Sequence, residues 1–379
     1  MNRNIIELRH FLHKYPEVSN REYKTMETIT GFVNTSSPDE VLPICKTGKA
    51  FIYKGKLPGK TLMFRAELDA LPITEHSSHS YASVNKNVAH LCGHDGHMAI
   101  LAGLSQMIAA KRPERGKVIL LFQPAEEVEQ GARDVVGDPV FQSMEADYIF
   151  ALHNIPGAEK HRILLKTGSF AAASKGMTIK LIGKTSHAAE PENGISPENA
   201  ISMIIKNFHE LWQKKQLFKD MVLLTIIHIC MGEISFGTSP GYAELRITLR
   251  AFENDDMERL TREAEKIIHG ISEMEKLRYE IAYNEVFPAT VNNPDCVNIA
   301  ARAAKEHNLK VEFLQKPFKW SEDFAYYTQK YNTCLFGLGG GVHLSQLHNP
   351  DYDFPDEIMD TGMKVFYKIY QEINFSDHE

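Results

Sequence analysis

Residues 61–68 (TLMFRAEL) and 117–124 (KVILLFQP) are short apolar runs on either side of DGHMAILAGLSQMIAAK at 95–111. Each flanking run has the length and the nearly unbroken apolar character of a strand buried on both faces. Between them Ile100, Leu101, Leu104, Met107 and Ile108 recur at helical spacing, which predicts a helix with one side on a core. The result is a strand, helix, strand unit, and DYIFALHN (147–154) adds a further strand. With an opening helical stripe at Ile5, Ile6, Leu8, Phe11 and Leu12, this part reads as an α/β layer around a largely parallel central sheet.

The pattern changes near Lys175. KGMTIKLIGK (175–184) alternates Met177, Ile179 and Leu181 with polar partners, as a half-exposed strand does. A helix starts in SPENAISMIIKNFHELWQKK (196–215), with Ser196 placed to cap it and Pro197 at its first position. Two strands follow, at MVLLTIIHICM (221–231) and YAELRITLRAF (242–252). Then come a helix through Leu260, Ala264, Ile267, Ile268 and Ile271 and the strand LRYEIAY (277–283). The order β, α, β, β, α, β is that of a split βαβ, ferredoxin-like domain. It predicts an inserted domain at 175–285, inside a first domain made of 1–174 and 286–379.

A length of 379 residues suits two domains better than one core. A formal charge of −7 argues against a nucleic-acid surface, which needs a basic stripe. The segment MNRNIIELRHFLHKYPE lacks the apolar core of a signal peptide, and VILLF and MVLLTIIHICM are too short to span a membrane. No nucleic-acid or membrane partner is expected, and the cytoplasm is the expected location. The five cysteines (Cys45, Cys92, Cys230, Cys296, Cys334) are scattered singly, which is the usage of reduced thiols.

Cys92 stands out because of AHLCGHDGHMAILAG (89–103), where it and His94 sit in a loop just before a helix. Loops at the carboxyl ends of α/β strands are where such sheets place ligands, and thiolate with imidazole suits zinc and related divalent metals. In FQPAEEVEQ (122–130) the paired Glu126 and Glu127 lead toward a helix. Acids there also complement a helix dipole, so the pair by itself admits a structural reading. Facing a metal, one carboxylate would ligate and the other would take a proton from water. His153 ends the next strand, and His348 follows the short strand CLFGLG (334–339). Taken singly, each histidine is ordinary; four strand-end loops that each offer a ligand type form a constellation.

RAELDALPI (65–73), CGHDGHMA (92–99), FQPAEE (122–127), ALHN (151–154), GKTSHAAEP (183–191), SEDFA (321–325) and LHNPDYDFPDE (347–357) carry a resemblance. In this order they resemble the metal-dependent amidohydrolases that include hippurate hydrolase, indoleacetyl-amino acid hydrolase and N-acyl-amino acid deacylase. These are relatives of aminoacylase and the zinc glutamate carboxypeptidases. The resemblance runs nearly end to end. It implies a zinc-peptidase-like α/β catalytic domain with an inserted lid and dimerisation domain, a homodimer, and two divalent metal ions, Zn or Mn. The ligands it implies are Cys92, His94, Glu127, His153 and His348, with Cys92 in the place of a bridging aspartate. It also implies Glu126 as the general base, Asp69 as support for a ligand, and His187 of the lid as a donor to the oxyanion, from the same or a partner subunit. The implied substrate is an N-acyl amino acid.

The family pattern is broken at three places. Glu67 stands where Asp is usual, at or near a ligand position. Gly237 replaces an asparagine that helps hold the substrate carboxylate, and Trp320 replaces a glycine. Three rivals remain in view: a serine hydrolase, a dipeptidase or aminopeptidase of the same superfamily, and a non-catalytic metal-binding relative. GTSPG (237–241) matches G-x-S-x-G, but a strand follows instead of a helix and Pro240 has no N–H for an oxyanion. A dipeptide is also an amide, though Cys92 in place of the bridging acid favours acyl amino acids. The non-catalytic reading has only the altered lid residues behind it, since the base and every ligand position are filled.

Overall fold

The apolar runs at 61–68 and 117–124 do pair side by side in parallel, Leu62 opposite Val118 through Glu67 opposite Gln123. A computed structural model describes residues 3–375 of the chain. In chain order its elements begin with α1 (Arg3–Lys14), α2 (Tyr23–Asn34), β1 (Glu40–Ile44), β2 (Gly48–Lys54) and β3 (Leu57–Glu67). Next are α3 (His94–Ala110), β4 (Arg115–Gln123), α4 (Gly131–Gly137), α5 (Pro139–Gln142), β5 (Tyr148–Pro156), β6 (Ile163–Leu165) and β7 (Gly168–Ala171). There follow β8 (Ala173–Ile182), β9 (Ser186–His187), α6 (Glu198–Leu211), β10 (Val222–Met231), β11 (Thr238–Ser239), β12 (Tyr242–Ala251), α7 (Asn254–Met274) and β13 (Arg278–Phe287). The chain closes with β14 (Thr290–Asn292), α8 (Pro294–Glu306), β15 (Val311–Phe313), α9 (Ala325–Thr328), β16 (Asn332–Gly341) and α10 (Met359–Phe375).

These elements form two compact units. The first takes in the chain up to Phe170, Thr290–Lys316 and the residues from Asp323 onward. Its eight-stranded sheet has the order β1-β2-β4-β3-β5-β16-β6-β15. The centre is parallel, through β4 with β3, β3 with β5 and β5 with β16, and the β1, β2 edge is antiparallel. Val118–Phe122 and Leu62–Phe64 are all fully buried, as strands covered on both faces must be. Helix α3 is buried on more sides than its stripe predicts: Met98, Ala99, Ala102 and Gly103 are enclosed as well. The cause is a second layer, because α1 and α10 lie against α3. A Cβ on Gly103 would meet the Met363 sulfur of α10, so glycine lets that side chain lie close against α3.

The second unit consists of Ala171–Ala289 and Pro317–Glu322. Its four-stranded antiparallel sheet has the order β10-β12-β8-β13, the ferredoxin-like arrangement. Ala243, Leu245, Ile247 and Leu249 are buried on one side of β12, while Glu244 and Arg246 pair at 2.6 Å on the other. Helix α6 begins one residue later than its sequence suggests. Pro197 is the capping position, and the Ser196 hydroxyl accepts only a long 3.4 Å bond from the Glu198 N–H.

Candidate metal centre

The carboxyl ends of β3, β4 and β5 and the chain beyond β16 bring Asp69, Glu126, Glu127, His153 and His348 to the loop that bears Cys92 and His94. That loop turns sharply. Gly93 has φ +94°, and a Cβ on it would collide with Asn154 Oδ1 and lie 2.9 Å from the Tyr352 hydroxyl. Only glycine fits between the two candidate ligands. His94 opens α3, and its Nδ1–H donates to the Asp69 carbonyl at 2.9 Å. This fixes the tautomer and leaves Nε2 as a lone pair. Nε2 is buried without a hydrogen-bond partner among the described residues, 3.9 Å from Glu126 Oε2 and 3.8 Å from Glu127 Oε1.

His153 lies inside β5, not at its end, opposite Gly337 of β16. The pairing of β5 with β3 stops at Ala151, so His153 stands clear of the neighbouring strand, on the open edge. Its Nδ1–H donates to the Asn154 carbonyl at 2.9 Å, and Nε2 lies 3.6 Å from Cys92 Sγ. Burial, and then the nearby His97, push its pKa down to about 3. The imidazole is therefore neutral, as a ligand must be. His348, half exposed with φ +65°, is held by a 2.8 Å bond from its N–H to the Leu91 carbonyl. Its Nε2 is 3.7 Å from Glu127 Oε2, and burial lowers its pKa.

Glu126 and Glu127 occupy a turn ahead of α4, not the start of a helix. The expected dipole role is therefore replaced by something more specific. Asp69 accepts the Glu126 N–H on Oδ1 at 3.1 Å and the Glu127 N–H on Oδ2 at 2.9 Å. Glu22 accepts the N–H of Ala125, whose φ is +55°, at 2.9 Å, and the Thr47 hydroxyl at 2.7 Å. Three consecutive backbone donors thus end on two buried carboxylates. Burial, and then the Asp69 charge, raise the Glu22 pKa.

Glu67 points into a second layer. One oxygen pairs with Arg65 and the other accepts His97 Nδ1–H at 2.8 Å. Burial opposes its ionisation, yet the Arg65 charge and then His97 hold its pKa well below the usual range. Arg65 also reaches Gln123 at 2.8 Å and Asp323 at 2.5 Å. The donor atoms of Glu67, His94 and His97 still lie within 4.8 Å of one another.

Donor atoms within that same distance also form the sets Cys92, His94, His153; Cys92, Glu127, His348; and His94, Glu126, Glu127. The remaining candidates lie on the second unit. His187 on β9 is exposed and pairs with Thr238 of β11, and its Nδ1 accepts the Ala189 N–H at 3.0 Å. That leaves its proton on Nε2. Gly237 adjoins this ladder, its carbonyl accepting the Ala188 N–H at 3.0 Å, and a Cβ there would meet nothing within 4 Å. Ser239 of the GTSPG segment lies in β11, with no strand-to-helix elbow. Trp320 stacks on Phe318, centroids 4.8 Å apart.

Glu22, His97, Asn154 and Arg65 carry the site without having been assigned a role from sequence. Arg65, His97 and Asn154 fall inside the quoted motifs; Glu22 has no local signal. Residues 63–372 match the model of the peptidase family M20/M25/M40. Hippurate hydrolase of Campylobacter jejuni is 29% identical over 96% of this chain and 94% of its own. N-acetyldiaminopimelate deacetylase of Bacillus velezensis is 29% identical over 96% and 98%. The crystal structure of a Bacillus subtilis dinuclear metal binding peptidase of the M20 family superposes with a TM-score of 0.85 at 25% identity, covering 98% of each chain. The chain belongs to the peptidase family M20/M25/M40.

Proposed function

We propose that this protein is a metal-dependent amidohydrolase that cleaves an N-acyl amino acid, with two divalent ions held by Cys92, His94, Glu127, His153 and His348. One observation carries the reading: the sets Cys92, His94, His153 and Cys92, Glu127, His348 use these five residues and share only the Cys92 sulfur. The donors fit such ions. His94 Nε2 is buried without a hydrogen-bond partner among the described residues and lies 3.9 and 3.8 Å from the Glu126 and Glu127 carboxylates, an arrangement that a cation between them would satisfy. Thiolate and imidazole favour zinc, and carboxylate also accommodates manganese. When bound, the ions would supply Lewis acidity toward water and the amide carbonyl.

The chain's own groups do the rest. Glu126 takes the proton of the attacking water and hands it to the leaving amine. Asp69 keeps Glu126 and Glu127 in register through their backbones. His187 offers its Nε2–H to the developing oxyanion, from this chain or a partner. Gly237 and Trp320 bear on which substrate is taken, and Glu67 on the spacing behind His94. The second unit acts as lid and dimerisation domain. Its outer strand β10 and the loop after it expose Ile227, Ile229, Met231, Ile234 and Phe236, a surface suited to a second copy. The names of the two relatives, a hydrolase of hippurate and a deacetylase, support the substrate class. Five cysteines without a disulfide are in keeping with the cytoplasm.

The test is hydrolysis of a panel of N-acetyl, N-benzoyl, N-succinyl and indoleacetyl amino acids and dipeptides after loading with Mn²⁺ or Zn²⁺. Turnover that is lost to a chelator, and lost in Glu126→Gln with metal still bound, supports the proposal. Two bound ions with no turnover anywhere would favour a non-catalytic relative.

A further inference from the structure

The guanidinium of Arg9, fully buried in α1, touches two segments that carry candidate ligands. Its Nε donates to Asp95 Oδ2 at 2.7 Å, one residue past His94. Its Nη2 pairs with Asp353, five residues past His348, and Nη1 reaches Asp356 at 3.5 Å. The two segments are far apart in sequence, and Arg9 belongs to neither. Asp353 also accepts the Tyr81 hydroxyl at 2.7 Å, and Asp95 also pairs with His13 at 2.9 Å. Each acid therefore keeps a partner without Arg9; what disappears is the link between them.

That link matters most for His348. Its side chain is half exposed, in a loop with left-handed backbone, whereas His94 and His153 are enclosed by helix and sheet. The loop is tied down at Leu91 by the His348 N–H, at Asn154 by the Tyr352 hydroxyl, 2.5 Å away, and at α1 by Asp353. The tie to α1 is made of ion pairs with a fully buried partner, Arg9 with Asp353 and, at 3.5 Å, with Asp356.

We propose that Arg9 is a positioning residue that holds the His348 loop against the amino end of α3 and so sets the affinity of the Cys92, Glu127, His348 set for its ion. The inference rests on the two-ion reading above. Its consequence is asymmetry: loosening the strut weakens one ion and spares the one held by Cys92, His94 and His153. A purely structural role would lower stability and leave both affinities alone, or weaken both together. The fork geometry matters, since lysine carries the charge but cannot bridge two carboxylates in a plane.

The experiment is a competitive titration of metal-free protein with Mn²⁺ and with Zn²⁺, resolving the two binding steps, for wild type, Asp353→Asn and Arg9→Lys, with thermal unfolding of each metal-free form. Asp353 is 20% exposed and its loss leaves the Arg9–Asp95 pair intact, so this variant is expected to fold. The expected result is one step unchanged and the other weakened about 10- to 100-fold in both variants, as for other groups that orient a ligand. Two unchanged steps in Asp353→Asn, or two steps weakened equally, overturn the inference while the two-ion reading stands. A wild type that binds a single ion overturns that reading and the inference with it.

Discussion

Asp69 grips Glu127 by its backbone, accepting the N–H at 2.9 Å, while its other oxygen takes the Glu126 N–H at 3.1 Å. The candidate ligand and the candidate base are therefore aimed by the same buried carboxylate. Asp69→Asn replaces one acceptor by a donor that faces an N–H. The expected outcome is a fall in kcat of about 10- to 100-fold with KM little changed. Steady-state kinetics on any substrate found in the panel, with metal content measured alongside, checks this.

Glu22 completes the clamp. Glu22→Ala leaves the Ala125 N–H and the Thr47 hydroxyl without their acceptor and the left-handed turn at Ala125 unsupported. The expected loss is roughly 2–4 kcal/mol of stability. Urea unfolding measures it, and turnover should fall too because the turn carries both glutamates.

Gly93→Ala tests the loop between Cys92 and His94. The added Cβ collides with Asn154 Oδ1 on a backbone with φ +94°. Roughly 2–4 kcal/mol of destabilisation is expected. Because both neighbours are candidate ligands, metal affinity should drop as well, as a metal titration would show.

The buried cluster of His13 with Asp95 and Glu75 gives stability a pH dependence. Burial alone would lower the His13 pKa, but hydrogen bonding to Asp95 leads the opposing effects and lifts it from 6.5 to about 9. The contribution of this group is thus whole below the unfolded value and is lost as pH rises through about 9. Glu75 is opposed by burial, yet the His13 hydrogen bond heads the effects that lower it from 4.5 to about 2. Its contribution is whole above the unfolded value and is lost as pH falls through about 2. Because His13 and Glu75 shift each other, their shared interaction is counted once. Unfolding by urea at about pH 6 and about pH 10 should show an alkaline loss that His13→Gln abolishes.

Gly237→Asn restores the residue that the family resemblance implies for holding a substrate carboxylate. The position has open space for a Cβ, so folding should be unaffected. The expected effect is a KM for N-acyl amino acids lower by roughly fivefold, the worth of one hydrogen bond. An unchanged KM would remove Gly237 from the substrate site.

Much of this molecule is legible in its residues. Helical and strand periodicity are local properties, and so 61–68, 117–124 and the βαββαβ run of the second unit can be read directly. As candidate ligands Cys92, His94, Glu127, His153 and His348 can be picked out too, because metal ligands come from few residue types. The misreadings have a common origin. Glu126 and Glu127 are in a turn, and α3 is enclosed on several sides, because partners distant in sequence override the local preference.

By itself the sequence determined the central strands and helices of both units and the residue types of the candidate ligands. Only the tertiary structure decided how those groups are aimed. The Glu22 carboxylate meets the Ala125 N–H across 103 positions, and Arg9 meets Asp353 across 344. A buried carboxylate or guanidinium takes whatever partner the fold delivers to it, to avoid an unpaired charge in a medium of low dielectric. Such pairings leave no periodic trace along the chain, so the supports of the site stay hidden until its elements are packed together.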